Sequence, residues 1–361
     1  MASPIVECVP NFSEGRDTGV IEAIARSISG VTGVSLLNVD PSDDANRTVY
    51  TFIGTPDALA QAALASAKTA YGLIDMAKHS GIHPRIGALD VCPLVPVSGI
   101  DMAACVALSR QIGEAIAHEL GVPVYLYEAS AARSERKSLA NIRGGQYEAL
   151  PAKLASAEWA PDFGPAIFVP RWGATAVGAR EYLIAYNVNL NTRDKGLADE
   201  IAWEIRELGR AARDLSGKPL KDAQGQALRI PGRLKEVRAI GWYAESYRCA
   251  QVSINLLNYQ ITPLHVLFET VKVEAEKLNL QVTGSEIIGL VPIEAILAAG
   301  QYYLEKMGGM VKVSESELVE TARRAMGLDS ITAFDPSTKI LEYACQTQSK
   351  LAALGLAGLI E

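Results

Sequence analysis

The chain has 361 residues, 49% of them apolar and 21% charged, which is ordinary for a folded protein and excludes a disordered or fibrous chain. Lys and Arg number 34 against 41 Asp and Glu, so the formal net charge is −7. That balance argues against general nucleic-acid binding, which needs a basic surface to displace counterions, and the length sets a prior of about two domains.

In chain order, Ile5 to Val9 reads as a strand. Asp17 to Ser29 reads as a helix, because Val20, Ile21, Ile24, Ala25 and Ile28 share one face, Asp17 can cap the start and Gly30 can end it. Val34 to Val39 and Arg47 to Ile53 are strands, the second dense in β-branched and aromatic residues. Thr55-Pro56 is an N-cap followed by proline at the first helical position, opening a helix that runs to about Met76. A strand at Ile86 to Cys92, a helix at Asp101 to Leu120 and a strand at Val122 to Tyr127 complete the first half.

The order then repeats. Tyr182 to Asn189 is a strand, Leu197 to Asp214 a helix, Leu234 to Tyr243 and Ala250 to Leu257 two strands, Pro263 to Leu278 a helix, and Glu286 to Val291 a strand. Two copies of βαββαβ predict an α+β protein of two ferredoxin-like subdomains, each with helices packed on an antiparallel sheet. From Ser314 the chain reads as helical, with a Ser314/Glu317 capping box and Gly327 as the stop. The expected divisions are residues 1–180, 181–330 and a C-terminal helical tail at 331–361.

Between the halves, Trp159 to Gly173 carries three prolines, two Trp and two Phe, which makes it a stiff strap rather than a flexible linker. Its rings either pack into a core or stack on a ligand. Cys8, Cys92, Cys105, Cys249 and Cys345 are scattered and odd in number, which fits reduced thiols in a cytoplasmic protein better than a disulfide framework. Cys92 lies in an apolar run and reads as buried and inert. No signal-peptide pattern opens the chain, and no apolar run approaches the roughly 18 residues that span a bilayer, so no membrane association is expected. There is no GxG, GxxxxGK[ST], CxxC or GxSxG, which removes the familiar dinucleotide, phosphate-loop, structural-zinc and hydrolase-elbow readings.

Four histidines are present. His118 and His265 read as structural. His79 and His83 share a loop, His79-Ser-Gly-Ile-His83-Pro84-Arg85. Their HxxxH spacing would place two imidazoles on one helix face for a metal, but Gly81 and Pro84 oppose a helix, and no third ligand is evident. The other reading holds His83 rigid beside Arg85, whose charge disfavours imidazolium and keeps a neutral base. The Asp40 to Thr48 turn is either solvated loop or a carboxylate presented beside Arg47. Arg133, Arg136, Lys137 and Arg143 form a basic cluster that either binds carboxylates or covers a solvated helix face.

Four stretches together resemble a known family: Val6-Glu-Cys-Val-Pro-Asn-Phe-Ser-Glu-Gly15, Asn46-Arg-Thr-Val-Tyr-Thr-Phe52, His83-Pro-Arg-Ile-Gly-Ala-Leu-Asp-Val-Cys-Pro93, and Trp159 to Arg180. They are similar to glutamate formiminotransferase, over roughly residues 3 to 330. The resemblance implies transfer of a formimidoyl group from N-formimidoyl-L-glutamate to N-5 of tetrahydrofolate, releasing L-glutamate, as in histidine degradation. It implies His83 as the catalytic histidine, Asp40 as an active-site aspartate, two ferredoxin-like subdomains and a homodimer. It places folate binding on Gly164, Pro165, Ala166, Ile167, Phe168, Val169, Pro170, Arg171, Trp172 and Gly173. Asn38 stands where the animal enzyme has Asp, and Arg171 where it has Ser. In animals a cyclodeaminase domain follows in the same chain; its absence here leads to the expectation of a monofunctional form linked to a separate cyclodeaminase.

An amidinium carbon is already electrophilic, so no metal is expected in the transfer, and tetrahydrofolate enters as co-substrate. The N-5 amine must lose a proton and the departing glutamate nitrogen must gain one. An imidazole with a pKa near 7 suits both, each transfer being worth about 10²–10⁴-fold. Asp40 either orients His83 or stabilises the amidine. Arg47, Arg85, Arg143, Arg171 and Arg180 are candidates for substrate carboxylates. Phe168 and Trp172 are candidates for covering the pterin. The alternatives are a related donor such as N-formylglutamate or formiminoglycine, a folate-binding protein without turnover, and a hydrolase using a metal on His79 and His83.

Overall fold

Among the described residues two large sheets organise the fold, and one βαββαβ order begins both. A computed structural model describes residues 4–308, apart from 215 and 224, and residues 313–346. The first unit runs to Glu181 and the second is Tyr182–Ala344.

The first unit opens with β1 (Ile5–Cys8) and β2 (Asn11–Phe12), which follow one line through the sheet, since each pairs antiparallel with the same two neighbours. Helix α1 (Thr18–Ser29) starts at Asp17, whose carboxylate accepts from the Gly19 and Val20 amides, and it buries Ile21, Ile24 and Ile28. β3 (Val34–Ser42) and β4 (Arg47–Gly54) form a hairpin. Helix α2 (Pro56–Leu73) presents a seam of small residues, Ala58, Ala62, Ala63, Ser66, Ala67 and Ala70, and packs on α1. It stops at Leu73, short of the expected Met76, and a single 3-10 turn at Met76–Lys78 leads into the histidine loop.

β5 (Leu89–Ser98), α3 (Met102–Leu120) and β6 (Val124–Glu128) follow. After the short helices α4 (Leu139–Ile142) and α5 (Leu150–Leu154), the chain returns as β7 (Thr175–Ala179). The sheet order is β3-β4-(β1/β2)-β5-β7-β6. Its first four lines have the expected ferredoxin-like arrangement. β7 and β6 extend it in parallel, so the sheet is mixed rather than purely antiparallel. One face is covered by the three long helices around Phe12, Ile24, Phe52, Leu59, Ile112 and Trp172. Alternation along β5 and β6 sends Val91, Tyr125 and Tyr127 into a second cluster with Ile142, Leu150 and Leu154.

The second unit runs β8 (Ile184–Leu190), α6 (Lys195–Ile205), a short ribbon of β9 (Arg210–Ala211) and β10 (Arg229–Ile230), β11 (Val237–Ala244), β12 (Cys249–Leu256), α7 (Leu264–Lys277) and β13 (Val282–Ile288). Its sheet, β11-β12-β8-β13, is antiparallel throughout. α6 ends at Ile205 rather than at the expected Asp214; Gly209 turns the chain at positive φ into the ribbon. α8 (Ile293–Lys306) occupies an apolar stretch to which the sequence reading gave no element. α9 (Glu315–Ala325) carries the expected capping box, with both Ser314 and Glu317 bonds made. α10 (Pro336–Lys339) and a helical segment at 341–346 follow, and the rest of the expected tail, 347–361, lies outside the described residues.

Candidate functional site

The β3–β4 hairpin sets the site. Ser42 faces Arg47 across it, and the turn between them ends on Asn46 at φ +46, a left-handed position that Asn tolerates. Asn46 then ties three segments together. Its Oδ1 accepts from the Gly15 amide at 3.0 Å, its Nδ2 donates to the Ser80 carbonyl at 2.8 Å, and its own carbonyl accepts from His79 Nε2 at 2.8 Å. Gly15 is required there, because a Cβ would stand 2.3 Å from the Ser42 carbonyl oxygen and 2.5 Å from the Arg47 nitrogen. The histidine loop is thus fastened to the hairpin and to the segment after β2.

His83 leaves this loop ahead of Pro84 and enters a recess lined by Asn11, Phe12, Asn46, Arg47 and Asp90. Arg47 Nη1 donates to His83 Nε2 at 2.8 Å. A guanidinium has no acceptor, so Nε2 carries the lone pair and the ring proton sits on Nδ1. Arg143, at the end of α4, donates to the Asp90 carboxylate, whose other oxygen accepts from the Ile86 amide at 2.8 Å. The Asp90 side chain is 4% exposed and that of Arg143 15%, so this is a buried ion pair.

Burial, then the charges of Arg47 and Arg143, hold the His83 imidazole well below the ordinary histidine pKa. It is a neutral base at physiological pH. Arg47 is half-buried, with its guanidinium the enclosed end. Burial and Arg143 bring its pKa down to about 10, while Asp90 and Asp40 favour its charge, so it stays a cation. Within this cluster, two guanidinium groups lie around one neutral ring, and such an arrangement suits an anionic ligand beside a proton acceptor.

Several expectations need correction. The cations that keep His83 neutral are Arg47 and Arg143, not Arg85. Arg85 makes a two-pronged pair with Glu148, at 2.7 and 2.9 Å, and donates to His79 Nδ1 at 3.3 Å. Both His79 nitrogens are therefore engaged, and the HxxxH pair does not converge on a common centre. The pKa near 7 expected for the catalytic imidazole is also lower. Asp40, near the end of β3, acts on Arg47. Arg136 is 1% exposed and pairs with Asp162 at 2.9 Å while donating to the Glu158 and Ala160 carbonyls; Arg133 also donates to Glu158. These two fasten the strap. Arg180 donates to the Glu181 carbonyl at 2.9 Å.

The strap divides its rings. Trp172 is fully buried, with Nε1 donating to Thr175 Oγ1 at 3.0 Å, so it is a core residue and not a cover for a pterin. Trp159 meets the Tyr125 ring edge-on, and Lys153 Nζ lies 3.9 Å over its centroid. Phe168 rests on Tyr147 with centroids 5.3 Å apart, and Ile167 is 65% exposed. Arg171, expected as a cation for a ligand, donates to the Tyr71 and Gly72 carbonyls at 2.9 and 2.6 Å and so closes the last turn of α2.

Sequence reasoning missed Asp90, Asn11 and Glu148. A lone carboxylate inside the apolar run Ala88 to Val95 was the available signal for Asp90. Asn11 and Glu148 gave none, because their meaning depends on where the sheet brings them. His118, in the last turn of α3, and His265, stacked on Tyr302 at 4.5 Å, lie outside the recess. Cys8 and Cys92 are fully buried with their sulfurs 3.5 Å apart, and burial, then the neighbouring thiol, pushes the Cys8 thiol up.

Comparison with known proteins adds the following. Residues 5–180 match the N-terminal subdomain of the formiminotransferase domain, and residues 185–346 match the formiminotransferase domain model that follows it. A formimidoyltransferase-cyclodeaminase of Mus musculus is 49% identical over 342 residues, 94% of this chain and 60% of that protein. The protein of the same name in Dictyostelium discoideum is 47% identical over 362 residues, 99% of this chain and 64% of that one. The chain thus spans about three fifths of these relatives. A glutamate formimidoyltransferase of Streptococcus pyogenes serotype M1 is 42% identical over 301 residues, 83% of this chain and 93% of that protein.

Proposed function

The chain belongs to the formiminotransferase family, and on that premise we propose that it moves the formimidoyl group of N-formimidoyl-L-glutamate to N-5 of tetrahydrofolate, giving 5-formimidoyltetrahydrofolate and L-glutamate. The observation that carries this reading is a neutral His83, its lone pair on Nε2 against the Arg47 guanidinium, in a recess beside the Arg143–Asp90 pair.

The N-5 amine adds to the electrophilic amidinium carbon. His83 takes the proton that N-5 loses and returns it to the glutamate nitrogen, whose bond to carbon then breaks. Each transfer contributes about 10²–10⁴-fold when the base is well placed. The charges of Arg47 and Arg143 hold the ring below the pKa best matched to both steps. Substrate carboxylates placed beside these guanidinium groups offset that charge and raise the ring toward neutrality. We read Asp40 as acting through Arg47, and Phe168 with Tyr147 as the aromatic face offered to the pterin within Gly164–Gly173. The working form, on this reading, is a cytoplasmic homodimer, which sedimentation of the purified chain checks.

Steady-state rates with N-formimidoyl-L-glutamate, N-formylglutamate and formiminoglycine test the assignment. The amidine donor bearing two carboxylates should give the highest kcat/KM. A faster reaction with either other donor would replace the proposed substrate, and release of the donor's amino acid (glutamate, or glycine from formiminoglycine) from none of the three would remove the transferase reading.

A further inference from the structure

The lone pair His83 needs as a base is already in use. Arg47 Nη1 sits 2.8 Å from His83 Nε2, and its guanidinium is enclosed among the residues of the recess. In the same recess, Asn11 Oδ1 is a buried acceptor with no hydrogen-bond partner among the described residues. Leaving a buried carbonyl oxygen without a donor is costly, so its retention asks for a donor supplied from outside. The group that reacts in the proposed transfer is an amidinium. It is a planar cation with N–H bonds diverging from one carbon, which is a guanidinium less one nitrogen.

We propose that Arg47 is an internal stand-in for the donor's amidinium: its guanidinium caps His83 Nε2 and closes the recess until the donor's carboxylates draw it away, and the amidinium then takes its place against His83 Nε2 and Asn11 Oδ1. This rests on the transfer reading above. The exchange has a stated driving force. In the resting protein the guanidinium donates to a neutral imidazole nitrogen. A carboxylate offers it a charge-assisted, two-pronged pair, roughly twice as strong. A cation without a carboxylate has nothing with which to dislodge Arg47. The recess therefore admits amidines that carry a carboxylate and shields the base from other electrophiles. Asp90 and Asp40, which favour the Arg47 charge, would favour the amidinium equally.

Diethyl pyrocarbonate, which acylates an unengaged neutral imidazole nitrogen, reads this directly when the His83 peptide of the full chain is followed by mass spectrometry. His79, with both nitrogens engaged, is the internal reference. Removing a charged hydrogen bond worth about 1.5–3 kcal/mol should speed His83 modification at least about tenfold in Arg47→Met. Formamidinium chloride should slow it again in Arg47→Met, leave the wild-type rate unchanged, and give no protection in Arg47→Met/Asn11→Leu. In the wild type, L-glutamate should accelerate modification of His83 and not of His79, an arm that stands even if the variants do not fold. A wild-type rate in folded Arg47→Met, no protection by formamidinium, or slowing by L-glutamate would each overturn the proposal. None of these readouts involves turnover. Labelling as expected without formimidoyl transfer would sink the transfer reading alone, and transfer with the opposite labelling would sink the stand-in alone.

Discussion

Each unit buries a polar cluster on its βαββαβ sheet, and the two clusters are built to opposite rules. In the second unit, Glu286 on β13 accepts from Asn187 on β8 at 2.9 Å, from Gln251 on β12 at 3.1 Å and from Tyr247 at 3.2 Å. Gln251 also donates to Asn189 and accepts from Trp242, both at 2.6 Å. The network closes on itself. In the first unit, Arg47, His83, Arg143 and Asp90 leave an acceptor, Asn11 Oδ1, and a donor, Arg143 Nε, buried without partners among the described residues. A satisfied network rigidifies a sheet, whereas one left open holds a place for something else. The same βαββαβ order thus carries a closed cluster and an open one, and the difference lies in which hydrogen bonds are left unmade.

The sharpest way to break this contrast is His83→Asn. The amide oxygen can still accept from Arg47, so the fold should persist with little change in Tm. Single-turnover formimidoyl transfer should fall by about 10²–10⁴-fold, the range of a lost acid–base group. A loss below about tenfold would remove the catalytic role.

Next come the two carboxylates. Asp90→Asn strands Arg143 in a buried setting, and breaking a buried pair from one side costs about 3–5 kcal/mol. Glu286→Gln keeps one acceptor oxygen and turns the other against its donors, which costs about 1–3 kcal/mol. Urea unfolding of both variants measures the gap. Equal losses would mean that the two clusters are energetically alike and that the contrast is one of geometry only.

The pH dependence follows from the depressed His83. The unfolded imidazole binds a proton near 6.5 and the folded one only well below that, so below 6.5 the unfolded state holds more protons. Stability is therefore fully present above 6.5 and falls as pH drops, by up to about 1.4 kcal/mol per pH unit. His79, lowered chiefly by burial, adds in the same direction. Denaturant midpoints between pH 7.5 and 5 should show the fall, and His83→Asn should flatten it. A slope unchanged in the variant would place the effect on other groups.

What could be read from the sequence was what is local. Helix α1 was legible because Ile21, Ile24 and Ile28 recur at helical spacing after an Asp17 cap, and α9 because its capping box is a four-residue signal. β7 was not, because Thr175–Ala179 is a short run of mostly small residues whose strand character comes from lying between β5 and β6. The site divides in the same way. His83 stood out through its loop chemistry and its motif. Arg47 and Arg143 stood out as candidate cations, but their pairing with His83 and Asp90 did not, since Arg47 lies 36 positions from His83 and Asp90 meets Arg143 across 53. Those meetings are made by strand register and by the return of α4. Trp172 misled for a related reason: aromatic composition signals packing as readily as stacking, and only the burial of that ring decides.

The smallest expected effect bears on the strap, where one residue separates a ligand contact from a helix stop. In Arg171→Ser the Tyr71 and Gly72 carbonyls at the end of α2 lose their donor, and a cation at a helix C-terminus is worth about 0.3–1 kcal/mol. Stability should fall by that amount while the affinity for tetrahydrofolate stays the same, because the guanidinium is committed to the helix. Titration of the variant with a reduced folate, beside its urea midpoint, separates the two roles. A weakened or strengthened folate interaction at unchanged stability would put Arg171 in the ligand's path and return the strap's cation to the binding surface.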